Sequence, residues 1–403
     1  MSGLSLTHRL WRRLPQGPRR AALAHGAAWL APRPDPAPPP PRSIAVCGEV
    51  LRASGLGQGA RLMHAALEGL GIPSVLVPAG LAVPGEDYGV AAMPPEGAAL
   101  VLHVNAPHLP AVLRRLPRGA LRGRRIVGYW QWELPVAPAL WRVGVGFVHE
   151  VWTSSAFTAS ALRPLLPEGM PLRVVPHPVA AVPPAPSLLG RGDFGLPDDA
   201  VITLVSLNLA SGWSRKNPMG AVEAHRLAFG TRRDRLLVLK IGHSHHYPEE
   251  VARLGQAAAE LGNVVLETRT FPIGDTHALT ACADIVLSLH RSEGFGLVPA
   301  EAMLLGRPVV ATNWSATTEF MDANSAAMVA YRLVPATDPR GVYAVPGAMW
   351  AEPDLGDAAR HLLRLADDAR ARSELGQAGR AMARARLGSE KLEAAVRGLG
   401  LAA

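Results

Sequence analysis

Two carboxylates, Glu293 and Glu301, bracket the stretch EGFGLVPAE in the second half of the chain. Gly294 and Gly296 let a ligand come close to the backbone, and the free N–H groups where a helix begins favour an anion. A carboxylate accepts hydrogen bonds from two adjacent hydroxyls, which is what a ribose or a hexose presents. The pattern therefore suits a ligand with a phosphate and with sugars on either side of it. A second set of charges lies upstream in Ser211-Gly212-Trp213-Ser214-Arg215-Lys216-Asn217-Pro218. Arg215 and Lys216 stand just before a predicted helix, so side-chain cations and helix N–H groups can converge on one phosphate. Of 41 basic residues only Lys216, Lys240 and Lys391 are lysines. A lysine in a chain that otherwise uses arginine draws attention to Lys216 and to Lys240, which closes the strand 236–239.

The elements that must hold these residues are short and alternate. Ile285 to Leu289 is an apolar run of the kind a buried parallel strand shows. The turn 290–296 follows, then apolar residues at helical spacing from Leu297 to Leu305. Gly306-Arg307-Pro308 stops that helix, and Val309 to Thr312 is the next strand. This is a β-α-β unit whose glycine-bearing loop lies at the carboxyl end of its first strand, where open α/β sheets bind ligands.

Glu293 through Glu301 resembles the E-x7-E signature of retaining GT-B glycosyltransferases, a family that includes many bacterial mannosyl- and glucosyltransferases. The Arg-Lys-Asn-Pro loop at 215–218 is similar to that family's donor loop, and Tyr129-Trp130-Gln131-Trp132-Glu133 resembles a segment of one bacterial branch. The resemblance covers Ser43 to about Leu387. It implies an α/β chain of GT-B type, with two Rossmann-like domains facing a central cleft. It further implies that Glu301 binds ribose hydroxyls, that Glu293 binds hexose hydroxyls, and that the backbone from Gly294, Phe295 and Gly296 to Leu297 and Val298 meets the phosphate and sugar. Arg215 and Lys216 would stabilise the departing diphosphate, with Ser211 and Lys240 completing the donor site. The expected donor is a GDP- or UDP-hexose, mannose or glucose, transferred with retention to a glycan or lipid-linked acceptor in cell-envelope or polysaccharide assembly. Cytoplasmic placement follows from the same resemblance. A departure is Ala316, where family members often carry glycine.

At 403 residues the chain is long enough for two domains. The expected divisions are a basic, Pro-rich tail at 1–42, a first Rossmann-like domain at 43–180, a second at 181–370, and a helical segment at 371–403 that crosses back to the first. In the tail, Leu6, Leu10, Trp11 and Leu14 share a helical face beside Arg9, Arg12 and Arg13. This reads either as a helix on an anionic membrane surface or as a disordered tail. In the first domain the loop Ser54 to Gly59 precedes a helix over Ala60 to Leu70, and the resemblance puts Gly57 and Gln58 at the cleft. Asn105 ends a strand and is expected at the acceptor side of the cleft. Trp132 and Glu133 form either a sugar platform or a packed tryptophan core with a carboxylate at a helix start. His177 reads as a cleft residue or as a structural histidine.

The formal charge of +8 carries no interleaved aromatic and basic positions, so no nucleic-acid partner is expected. Cys47 and Cys282 read as buried thiols rather than as a disulfide framework. No Asp-x-Asp pair or zinc-type spacing is present, so no metal and no cofactor is expected. Two other classes compete: a catalytically inactive GT-B scaffold, and a nicotinamide-dependent oxidoreductase using the first glycine loop. For the latter, no acidic residue stands convincingly at the end of the second strand to hold a ribose.

Overall fold

Short apolar strands, most of them followed by a helix or a helical turn, build two separate parallel sheets in a computed structural model that describes residues 16–52, 54–81 and 92–401. One unit holds the residues up to Trp132, then Val136–His177 and Ser389–Ala403. The other holds Glu133–Pro135 and Pro178–Gly388.

The first unit opens with a helix, α1 (Gln16–Leu30). Strands β1 (Ser43–Gly48), β2 (Ser74–Pro78), β3 (Ala98–His103), β4 (Ile126–Tyr129), β5 (Glu150–Thr153) and β6 (Leu172–Val174) then form one sheet in the order β2-β1-β3-β4-β5-β6. Every pairing in it is parallel. Its connections include α2 (Gly55–Gly69), α3 (Leu109–Leu113) and α4 (Ala156–Leu162). β3 is buried at every position, as a central parallel strand covered on both faces requires.

Within the tail expected over 1–42, residues 16–30 fold as α1, while 32–42 form no helix or strand. Ala24, Ala27 and Ala31 bury one face of α1 against α3 and a short helix at Arg142–Val145. Beyond it, the Arg33 guanidinium lies 4.2 Å from the Phe147 ring centroid and donates to the Gly146 carbonyl at 3.3 Å. His149 Nδ1 accepts from the Ile126 N–H, so its Nε2–H donates to the Asp35 carbonyl at 2.7 Å. Small residues let the helix approach closely, a signal that hydrophobic periodicity underweights. The proposed face of Leu6, Leu10, Trp11 and Leu14 lies outside the described residues.

α2 begins five residues earlier than expected. The Ser54 hydroxyl accepts the Gly57 N–H at 3.1 Å, an N-cap that offsets the poor helix propensity of the glycines. Gly57 and Gln58 therefore sit in a helical first turn rather than in a loop.

The second unit carries β7 (Val201–Asn208), α5 (Pro218–Phe229), β8 (Arg235–Gly242), α6 (Pro248–Leu261), β9 (Val264–Glu267), α7 (Ile273–Cys282), β10 (Ile285–Ser288), α8 (Leu297–Leu304), β11 (Val309–Thr312) and β12 (Ala327–Val329). Its sheet runs β12-β11-β10-β7-β8-β9, again all parallel. An antiparallel hairpin, β13 (Tyr331–Pro335) with β14 (Met349–Pro353), follows. Helices α9 (Leu355–Asp367) and α10 (Ala369–Arg386) close this unit, and α11 (Glu390–Arg397) is grouped with the first. The core under the second sheet joins Leu207, Leu239, Ile285, Leu287 and Val310 with Leu362 and Leu365 of α9.

Candidate active site

The strand order of the second unit decides where a ligand can go. β7 leads through α5 to β8 on one side, and β10 leads through α8 to β11 on the other. The chain thus leaves two adjacent strands in opposite directions and opens a crevice at their carboxyl ends. The loops at 208–217 and 289–296 meet there, and they carry Arg215, Lys216 and Glu293.

The Glu293 carboxylate binds both cations: Oε1 lies 2.6 Å from Lys216 Nζ and Oε2 lies 3.0 Å from Arg215 Nη1. Arg215 is 2% exposed. It donates to the Ser292 carbonyl at 2.8 Å, to the Ser211 carbonyl at 2.9 and 3.2 Å, and to Tyr343 Oη at 3.0 Å. Glu133 Oε1 stands 4.0 Å from Arg215 Nη2. Lys216, with 21% of its side chain exposed, is the more accessible cation.

Environment pushes the two carboxylates apart. Burial opposes ionisation of Glu293, but Lys216 and Arg215 overcome it and hold its carboxyl well below the usual range. For Glu133 burial dominates and raises the pKa, with Arg215 only partly offsetting it. Burial also raises the Tyr343 phenol, and Arg215 stays a cation because Tyr343, Glu293 and Glu133 outweigh its desolvation. A buried carboxylate with two cations, one of them part-exposed, can bind hydroxyls and an anion side by side.

Backbone geometry fixes the glutamate. The Glu293 N–H donates to Ser315 Oγ at 2.8 Å, and the Ala316 N–H donates to the Glu293 carbonyl at 3.3 Å. Ser315 has φ 70°, so the left-handed residue is the one before Ala316. Gly296 caps α8 at φ 101°, and a Cβ there would meet Thr317 Cγ2 at 2.5 Å. Gly294 and Phe295 complete the turn, with Phe295 packed on Phe320 at 5.4 Å between centroids. Leu297 and Val298 form the first turn of α8. His290, pushed down to about 4 by burial, is a neutral ring beside Ser288 Oγ at 3.0 Å and Thr317 Oγ1 at 3.3 Å.

Glu301 lies on α8 with 13% of its side chain exposed, and His277 Nε2 stands 3.7 Å away. His277 Nδ1 accepts the Ala185 N–H at 3.1 Å, which puts the proton of a neutral ring on the nitrogen facing Glu301.

Other predicted residues are engaged by neighbours within the fold. Lys240 donates to the Arg269 carbonyl at 2.7 Å and faces the Phe271 ring, apart from the Glu293 pairs. Ser211 contributes its carbonyl, to Arg215. Trp132 is 4% exposed, packs edge-on to Trp141 and donates to the Val136 carbonyl, so it is core and not a sugar platform. Asn105 Oδ1 accepts the Gln131 N–H at 2.8 Å. Gln58 Oε1 accepts from the Arg61 guanidinium, and a Cβ on Gly57 would meet the Glu49 carbonyl oxygen at 2.4 Å. His177 is 4% exposed, 3.4 Å from Tyr129 Oη, and burial lowers it to about 4, so it is a structural histidine. Tyr343, Ser315, His290 and His277 were not singled out by sequence; only their spatial partners give them meaning. Among the described residues no group of His, Cys, Asp or Glu could hold a metal ion. Cys47 and Cys282 are free thiols, the first pushed up to about 12 by burial.

Residues 221–345 match the family model described as glycosyl transferases group 1. A comparison with curated protein sequences finds no match. Among solved structures, Anabaena HepE in complex with UDP and glucose aligns over 89% of this chain and 99% of its own, with TM-score 0.59 and 14% identity. A glycosyltransferase from Rickettsia africae gives TM-score 0.59 at 13% identity over 89% and 98% of the two chains. A TarM variant from S. aureus, solved with UDP, alpha-GlcNAc-glycerol and fondaparinux, gives 0.53 at 12% identity over 75% of this chain. The chain spans only 55% of TarM's length. The chain has the GT-B fold, and residues 221–345 of its second unit match the group 1 glycosyltransferase model.

Proposed function

We propose that the protein transfers a hexose, mannose or glucose, from GDP- or UDP-hexose to a glycan or lipid-linked acceptor with retention of configuration and without a metal. The observation that carries this reading is the buried Glu293 paired to Lys216 and Arg215 at the switch point of a Rossmann-like sheet. UDP in HepE and in TarM supports a nucleoside diphosphate there.

In this reading Glu301 accepts from the ribose hydroxyls, with His277 Nε2 standing 3.7 Å from it. Glu293 has lone pairs beyond those its two cations use, and these accept from hexose hydroxyls. The bond from the anomeric carbon to the diphosphate oxygen breaks, and its electron pair leaves with the diphosphate. Lys216, at the exposed edge of the cluster, stabilises that charge, while buried Arg215 holds Glu293 ionised. The acceptor oxygen bonds to the anomeric carbon from the face the diphosphate leaves, and its proton passes to the departing phosphate oxygen.

A site of cytoplasmic polysaccharide or envelope-glycan assembly, peripheral to a membrane, completes the reading. No helix among the described residues is long and apolar enough to cross one. Calorimetric titration of UDP and GDP, without metal, into wild type and Glu301→Ala tests it. One nucleotide binding to wild type and at least about tenfold more weakly to the variant is expected. Equal affinity for both proteins would overturn the ribose role, and no binding of either nucleotide would overturn the donor assignment.

A further inference from the structure

The helix α1 is built the wrong way round for a soluble surface. Its buried positions are the small Ala24 and Ala27, with Ala31 buried just past its end, whereas Leu23, Trp29 and Leu30 are 64%, 84% and 53% exposed. A surface helix ordinarily buries its large side chains and shows solvent its polar ones. Three large apolar residues on one outward stretch of a helix mark a contact surface.

The surroundings select the partner. α1 packs on α3, and α3 runs directly into the exposed Arg114, Arg115 and Arg118. Arg20 is exposed on α1 itself. Among the described residues neither 16–34 nor 97–132 contains an Asp or Glu, while the first holds Arg19, Arg20 and Arg33 and the second five arginines besides the buried Arg124. Like charge would repel a second copy of this face. A nucleic acid would satisfy the arginines but leave Leu23 and Leu30 in water. An anionic bilayer surface satisfies both, with phosphates for the guanidinium groups and the acyl boundary for the apolar side chains. Tryptophan favours that boundary, since its ring is apolar and its N–H is a donor.

We propose that α1 with the arginines after α3 is a docking face for an anionic lipid bilayer, Trp29, Leu23 and Leu30 entering the interface. This deepens the peripheral-membrane part of the proposed function and rests on that reading for its purpose. It differs from the helical face expected at Leu6 to Leu14.

The test is co-sedimentation of the full chain with phosphatidylcholine vesicles, with and without phosphatidylglycerol, at low and high salt. The wild type and the triple variant Leu23→Ser, Trp29→Ser, Leu30→Ser are compared, and a second variant carries Arg114→Glu and Arg115→Glu. Binding that needs phosphatidylglycerol, weakens with salt and drops about tenfold or more in either variant is expected. Wild-type binding in the triple variant, or no vesicle binding at all, would overturn the proposal. So would a wild-type dimer that the triple variant splits, or duplex DNA binding with the same sensitivity to the triple variant. Titration of UDP and of GDP into the same proteins separates the two readings: vesicle binding without binding of either nucleotide sinks the donor assignment alone, and the reverse sinks the docking face alone.

Discussion

Lys216 Nζ lies 2.6 Å from Glu293 Oε1, and the same carboxylate holds buried Arg215 through its other oxygen. One glutamate thus couples an accessible cation to an inaccessible one. Removing each partner should have a different signature.

Lys216→Ala takes away only the accessible charge, and Arg215 still pairs with Glu293. Turnover should fall by about 100-fold or more with little loss of stability, if Lys216 meets the leaving diphosphate. Steady-state kinetics together with thermal unfolding check this. Near-normal turnover removes Lys216 from the mechanism.

Glu293→Gln leaves Arg215, 2% exposed, without its nearest carboxylate. Breaking a buried ion pair from one side costs about 3–5 kcal/mol, so stability and activity should fall together. A variant with wild-type urea midpoint would show that Tyr343 and the carbonyls of Ser211 and Ser292 suffice to hold the guanidinium.

Tyr343→Phe removes the hydroxyl that accepts from Arg215 Nε at 3.0 Å and keeps the ring. A hydrogen bond to a charged group contributes about 1.5–3 kcal/mol, which bounds the expected loss of stability. Turnover should drop less than in Lys216→Ala. The reverse ranking would give the phenol a direct part in the reaction.

Three buried histidines set a pH dependence. His177, His225 and His290 are each lowered by burial from the ordinary 6.5 to about 4. The folded protein therefore binds fewer protons than the unfolded chain between those values. The stability from keeping the rings neutral is complete above about 6.5 and declines as pH falls towards 4, by up to about 3 kcal/mol per ring. Urea midpoints measured from pH 7.5 to 4.5 should fall steadily, and His225→Phe should flatten the curve. A flat wild-type profile would contradict buried neutral rings.

The β-α-β unit around Glu293 was legible because every local signal agreed: an apolar run, two glycines, a helical period and a Gly-Arg-Pro stop. The helix expected over Leu297 to Leu305 is α8, Leu297–Leu304. Alternating parallel strands were legible for the same reason, since strands covered on both faces must be apolar throughout. α1 was not, because a helix that buries only alanine carries no large-residue period. Nor was the early start of α2, where one serine hydroxyl outweighed three glycines.

By itself the sequence determined the glutamate spacing, the Arg-Lys pair and the alternation of apolar strands with helices, since each depends on neighbours within a few turns of chain. Only the tertiary structure decided which charges pair. Glu293 and Lys216 are 77 residues apart and Arg215 and Tyr343 are 128 apart, and no local pattern encodes such contacts. They exist because β7 and β10 become adjacent strands, and the crevice between their diverging connections brings both loops to one place.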